Sequence, residues 1–357
     1  MHNDKSMKQY TLAEISEKLG AKLVLDPKSD SASGLDETTK IHSLATLVNA
    51  KEGQVAFLAN SKYSSQLAQT KASAVIIDES VLTECTTHAL VMENPYIGYA
   101  MLANLLDTTP KSALGVHASA VVAEGVKLGS NVSIGANAVI ESGVSLGDDV
   151  EIGANCFIGK NVTIGSSSKL WSNISIYHEV SIGVNCLIQA NTVIGSDGFG
   201  YAPTEKEVKW MKIPQLGSVV VGNNVEIGAS TTIDRGALDD TIIENGVILD
   251  NQVHIAHNAV IGSNTAIAGC SVVAGSTTIG KNCTIAGLVG INGHISIADN
   301  CFFTGMAMVT KNITESGVYS SGMPAVSNKE WRKTNARIKR LDSITSRIKV
   351  LESLITK

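Results

Sequence analysis

The sequence predicts a mainly β protein: a parallel β-helix of hexapeptide repeats, preceded by a small α/β domain and followed by an α-helical extension. Three observations carry this expectation. From Val116 to Ile194 every sixth residue is Val, Ile or Leu, fourteen times in succession. A second train runs through Val221, Ile227 and Ile233, shifts by four residues, and continues from Ile243 to Val309. Many of these residues are followed directly by Gly, as in Leu128-Gly129, Ile134-Gly135 and Ile152-Gly153. A period of six suits neither the 3.6 of a helix nor the 2 of a strand. A chain that turns a corner every six residues satisfies it, with one aliphatic side chain pointing inward per face.

Composition agrees. The chain has 357 residues, 44% of them hydrophobic, which is ample for a buried core, and only 4% aromatic, which suits a narrow interior. The 32 glycines are expected at corners that need positive φ. Six cysteines show no C-x-x-C pairing, so a disulfide framework is not expected and a reducing compartment is the default. The segment MHNDKSMKQY has no apolar stretch of a signal peptide, and no run approaches the ~20 apolar residues of a membrane span. A cytoplasmic location is expected, with the native start at either Met1 or Met7.

Residues 1–112 lack the six-residue period and are expected to form the α/β domain. Thr11-Leu12-Ala13-Glu14 is a capping box opening an amphipathic helix that ends near Gly20. Lys71–Asp78 and His88–Met92 are expected as short buried strands, and Asn94-Pro95-Tyr96 as a turn leading into a helix over Ile97–Leu106. The β-helix is expected over 113–322. An excursion at 196–218 holds Pro203 and Pro214, and a smaller bulge is expected at Ala237–Asp240. Insertions in repeat proteins often gather on a functional face.

The extension is expected over 323–357. Trp331, Ile338, Leu341, Ile344, Ile348, Leu351 and Ile355 form an apolar stripe at three- and four-residue steps. Equivalent helices of an oligomer would cover it. From Asn328 onward nine Lys and Arg face three acids, a net of +6, which leaves 19 basic and 30 acidic residues, or −11, on the rest. This asymmetry predicts an acidic partner near the carboxyl end. Nucleic acid fits poorly, because the body is strongly acidic.

The densest polar cluster in the second train is DNQVHIAHN, Asp250–Asn258. One coil is three hexads, so Gly275, eighteen residues beyond His257, should lie about one strand spacing (~4.8 Å) above it. His294 should lie two coils up and one residue displaced, at roughly 10 Å. This column could present a base, a backbone oxyanion donor and a second polar contact to a substrate. A solvated corner histidine is the simpler alternative. His254 and His257 flank inward-facing Ile255, so their convergence on a metal is not expected. His117 and His178 lack comparable polar neighbours and are taken as structural.

The segments DRGALDDT (Asp234–Thr241), DNQVHIAHN, INGH (Ile291–His294), GVYSSGMP (Gly317–Pro324) and WRK (Trp331–Lys333) together resemble those of the UDP-3-O-(3-hydroxyacyl)glucosamine N-acyltransferases of lipid A biosynthesis. The likeness covers nearly the whole chain. It implies a homotrimer of left-handed β-helices with active sites in grooves between subunits. It implies transfer of a 3-hydroxyacyl chain from acyl carrier protein to the 2-amino group of UDP-3-O-(3-hydroxyacyl)-glucosamine. No cofactor is implied beyond the phosphopantetheine carried by the donor, and no metal. Residue by residue, His257 falls on the general base, Gly275 on the backbone oxyanion donor and His294 on an assisting histidine. The segment FLANSKY matches the nucleotide-recognition stretch, which puts Phe57 and Tyr63 against the uracil ring and Asn60 at its edge. Met308 matches a position in the acyl groove. Lys311 stands where related enzymes can have Arg, and with Arg332 and Lys333 it is a candidate contact for the acidic carrier protein. Asp250 is a candidate for orienting His257 through Nδ1.

Three alternatives are open on the sequence. One is the O-acyltransferase of the same pathway, which shares the β-helix but lacks this amino-terminal domain. Another is a non-catalytic solenoid, and the third a γ-carbonic-anhydrase-like zinc enzyme.

Overall fold

The computed structural model describes residues 8–25, 37–204 and 209–355. The alternative starts Met1 and Met7, and the last basic residue, Lys357, lie outside them. The chain divides into two compact units, Met1–Lys111 and Ser112–Lys357.

In the first unit, α1 (Leu12–Leu19) is opened by Thr11, which accepts the Glu14 N–H while Glu14 reaches back to the Thr11 N–H. It is closed by Gly20 at φ 64°. Leu12, Ile15 and Leu19 form its buried face. The five-stranded sheet has the order Lys22–Val24, His88–Val91, Ala74–Ile77, Gln54–Phe57, Ser43–Leu44. Only the first pair is antiparallel. Ala74–Ile77 and His88–Val91 are buried on both faces, as a continuous apolar run in a mostly parallel sheet should be. The second helix, α2 (Pro95–Leu105), starts earlier than the expected Ile97. Proline suits the first helical position, and the Asn94 side chain accepts from the N–H groups of Tyr96 and Ile97.

The second unit is mainly a left-handed parallel β-helix. Its short strands form three parallel sheets of nine, eleven and ten strands, one on each face. Successive partners lie eighteen residues apart, as in Ile134↔Ile152 and Ile140↔Ile158. The excursion lengthens the step, giving Ile182↔Val221, and the smaller bulge gives Ile227↔Leu249. Neither disturbs the register beyond it. The expected inward residues are buried from Ile134 to Val309. Val116 and Leu128 are exposed, because within this unit no coil lies beneath theirs to cover them.

Two features differ from the sequence expectation. First, from Val132 onward each hexad buries a second side chain two places before the aliphatic one. Val132, Ala138, Val144 and Val150 fill this place, as do Cys156, Cys186, Cys283 and Cys301. Second, Asn holds more of the positive-φ corners than Gly does, from Asn131 and Asn137 to Asn282 and Asn300, at φ 54° to 62°. Short polar side chains tolerate this conformation by bonding locally. They also stack: Asn137 donates to Asn155 at 3.3 Å and Asn155 to Asn173 at 3.1 Å. The glycine after the aliphatic residue has another cause. A Cβ on Gly135 would meet the Ala154 backbone nitrogen at 2.6 Å, so no side chain fits between coils there.

The excursion leaves through a strand over Val193–Asp197, with Gly195 at φ 89° where the register slips. It forms a hairpin, Tyr201–Pro203 against Trp210–Lys212, and rejoins at Val219. After the solenoid come α3 (Asn328–Ile338) and α4 (Leu341–Ile355), broken at Lys339–Arg340 rather than continuous. Trp331, Ile338, Leu341, Ile344, Ile348 and Leu351 are all exposed on them.

Candidate active site

The corner that follows the ten-stranded sheet gathers the expected histidine column. His257 comes two places after inward Ile255, as its hexad position requires. The Ser276 N–H donates to the His257 carbonyl at 2.9 Å, and the His294 N–H donates to the Gly275 carbonyl at 3.0 Å. His257, Gly275 and His294 therefore follow one another up a single corner.

The imidazole lies against Gly275. A methyl group placed there would be 2.7 Å from both Cε1 and Nε2 of the ring, so only glycine lets the ring sit there unshifted. Gly198 of the excursion closes the other side; a Cβ on it would be 2.8 Å from the His257 Cβ. Several corner N–H groups equivalent to that of Gly275 are capped by side chains. The Ala229 N–H donates to Asn251 Oδ1, and the Lys281 N–H to Asp299 Oδ1. Among the described residues no protein acceptor takes the Gly275 N–H. It is available to a ligand.

The polar surroundings of His257 differ from the expectation. Asp250 does not reach it. Its Oδ1 accepts the Asn251 N–H at 2.7 Å and its Oδ2 the Gly269 N–H at 2.9 Å, one corner earlier in the coil. Seven residues is longer than one face, and that separation puts the two side chains on different corners. The partner of His257 Nδ1 is Asn258 Oδ1, at 3.1 Å. The nearby carboxylate is Asp234, which is buried, accepts from Ser196 Oγ at 3.0 Å and lies 3.7 Å from His254 Nε2. Burial holds its carboxyl above the usual range, against the opposing attraction of His254, the Ser196 hydrogen bond and His257. Arg235 is 1% exposed; its Nε donates to the Gly217 carbonyl at 2.6 Å and its Nη1 to His178 Nε2 at 2.7 Å. This pair ties the end of the excursion to the coils, which gives His178 its structural place.

On the same sheet the outward column reads Thr232, His254, Val272, Gly290, Met308. It passes from polar to apolar as it climbs past the His257 corner. Met308 is 70% exposed and, with Lys311, Tyr319 and Ser321, lines a cavity of ≈190 Å³. Arg332 and Lys333 are exposed on α3.

In the first unit, Phe57, Asn60 and Tyr63 line one cavity of ≈760 Å³ with Thr46, Gln66 and Tyr96. Phe57 stacks on Tyr99 at 4.2 Å between centroids, so one of its faces is already covered. Tyr63 and Tyr96 are exposed at the cavity. Asn60 Oδ1 caps the Lys62 N–H at 3.0 Å. Tyr96 was not singled out from sequence, since its position at the start of a helix gives no sign of the cavity below.

Residues 38–105 match the family profile described as UDP-3-O-(3-hydroxymyristoyl) glucosamine N-acyltransferase, LpxD. Residues 133–166 and 240–275 match the bacterial transferase hexapeptide repeat. A UDP-3-O-acylglucosamine N-acyltransferase of Colwellia psychrerythraea is 68% identical over 98% of this chain and 99% of its own. One of Pseudoalteromonas atlantica is 60% identical over 96% and 97%. Among solved structures, the Arabidopsis UDP-N-acetylglucosamine acyltransferase is similar in fold, with a TM-score of 0.52 at 23% identity over 64% of this chain and 80% of its own.

Proposed function

Because this chain belongs to the UDP-3-O-acylglucosamine N-acyltransferases, we propose that it moves a 3-hydroxyacyl chain from acyl carrier protein to the 2-amino group of UDP-3-O-(3-hydroxyacyl)-glucosamine, in lipid A biosynthesis. The observation that carries the chemistry is the imidazole of His257 set against Gly275, whose N–H has no acceptor among the described residues.

The sugar amine attacks the thioester carbonyl and must shed a proton as the tetrahedral intermediate forms. His257 Nε2 takes that proton. Negative charge grows on the former carbonyl oxygen, and the Gly275 N–H receives it; one preorganised donor is worth ~2.7–4 kcal/mol at that stage. The C–S bond then breaks as the oxyanion collapses, and the proton held on His257 passes to the departing phosphopantetheine sulfur, which leaves as the thiol and returns the imidazole to its neutral form. Neither an enzyme nucleophile nor a metal enters these steps. His294, one coil above Gly275, assists binding at the same corner.

The nucleotide reads into the cavity lined by Phe57, Asn60 and Tyr63, with aromatic rings for uracil and a polar edge contact. The polar-to-apolar column ending at Met308 suits an acyl chain. The basic segment beyond Asn328, with Lys311, Arg332 and Lys333 exposed, suits the acidic carrier protein. The enzyme acts as a cytoplasmic homotrimer in this reading. Exposed Phe199, Trp210 and Leu216 on the excursion, with the bare stripe of α3 and α4, are apolar surface that neighbouring copies would cover. Among the described residues no helix is long and apolar enough to cross a membrane.

Mass spectrometry of the product tests this reading. With a ladder of 3-hydroxyacyl carrier proteins, UDP-3-O-acylglucosamine should gain an amide-linked acyl chain. Acylation of UDP-N-acetylglucosamine alone would instead make the protein an O-acyltransferase.

A further inference from the structure

We propose that Asn258 is a positioning residue that fixes both the aim and the tautomer of the His257 imidazole. The proposal rests on reading His257 as the base. Asn258 occupies a positive-φ corner, at 58°, where other asparagines stack on one another through the coils. Its own side chain is bound otherwise. Nδ2 donates to the Asp239 carbonyl at 2.7 Å, and Oδ1 accepts the Ala237 N–H at 2.9 Å. The Asn258 backbone N–H donates to Thr241 Oγ1 at 2.8 Å.

These bonds decide which way the amide faces. Rotating it by half a turn would set oxygen against the Asp239 carbonyl and the NH₂ group against the Ala237 N–H, two repulsive pairs in place of two hydrogen bonds. Oδ1 must therefore be the atom 3.1 Å from His257 Nδ1. An oxygen acceptor there demands a proton on Nδ1, which leaves the Nε2 lone pair free on the side of Gly275. The four-residue bulge at Ala237–Asp240 supplies both backbone groups that lock the amide, so the bulge acts on the base through Asn258.

The choice of amide over carboxylate has a consequence. A neutral acceptor orients the ring without adding negative charge that would hold a proton on it. Among the described residues, Gly198 from the excursion and Gly275 and Ser276 from the next coil also lie against His257, all uncharged. Asp234 from the coil before interacts with it electrostatically and is paired with His254. Asp239 contributes its carbonyl to Asn258.

The test compares N258A, N258D and H257A in the full chain, with kcat and KM measured across the neutral pH range. N258A should lower kcat roughly 10- to 100-fold and leave KM for the nucleotide sugar unchanged. N258D keeps an acceptor for Nδ1–H and should recover turnover at the alkaline end, with the acid limb of kcat moved to higher pH. A purely structural asparagine would lower thermal stability in both variants without moving that limb. Parental kcat in N258A, or an N258D acid limb superimposed on the parent's, overturns the proposal; if N258A does not fold, N258D decides alone. Active H257A would remove the base assignment itself. Inactive H257A beside two parent-like Asn258 variants would sink only the role of Asn258.

Discussion

The lower and upper coils of this solenoid are built by one rule and used in two ways. Between Ile134 and Ile194 the hexads run without insertion, and the corner asparagines join in ladders such as Asn137–Asn155–Asn173. Between Val219 and Val309 the interior is just as regular, yet the corner after the ten-stranded sheet carries His257, Gly275 and His294. His294 even occupies a positive-φ place, at 58°, that asparagine usually takes. The comparison shows that the core and the chemistry are separable. Inward positions hold the coil together, and corner positions are free to be exchanged.

That separation can be broken or sharpened experimentally. The largest effect should come from H257A, which should lower turnover by about 10²–10⁴ with circular dichroism and melting unchanged. A large loss of stability instead would mean that corner and core are coupled. The converse is I152A in the lower coils. Removing three carbons from a fully buried site should cost ~2–5 kcal/mol in chemical denaturation, with activity per folded molecule intact. G275A should lower kcat by about 10²-fold, because its methyl group pushes on the imidazole; a slowed reaction with parental KM would match, and parental kcat would refute it. The smallest effect belongs to Asp234. Burial raises its folded carboxyl above the unfolded value, so its contribution is present below the unfolded pKa and is lost as pH rises through the folded one. D234N should therefore gain stability relative to the parent as pH rises from acid to neutral, read from denaturation midpoints. A pH-independent difference would refute that.

Much of this arrangement was legible beforehand because a strict period turns sequence distance into spatial address. Eighteen residues place Gly275 over His257, and the arithmetic needs no side-chain detail. What escaped had weaker periodic signal. The second interior place is filled by Val, Ile, Ala, Ser, Thr or Cys in no consistent pattern, so its repeat does not show as a regular hydrophobic period. Asp250 was misassigned because nearness along the chain does not survive a corner; seven residues span more than a face. Asn258 was overlooked since asparagine is the ordinary corner residue and only its bonding sets it apart. Gly198 meets His257 across the excursion, where the insertion breaks the arithmetic.

Four sulfhydryls inside the coils offer a final consequence. Cys156, Cys186, Cys283 and Cys301 are sealed in the interior, and burial raises each of them out of the reactive range, while Cys270 is exposed. A thiol-labelling dye should thus modify Cys270 at once and reach the others only when a lap of the spiral opens. Since solenoids fray from their ends, Cys301 should label before Cys186. Labelling order would then serve as an internal clock for how the spiral unwinds.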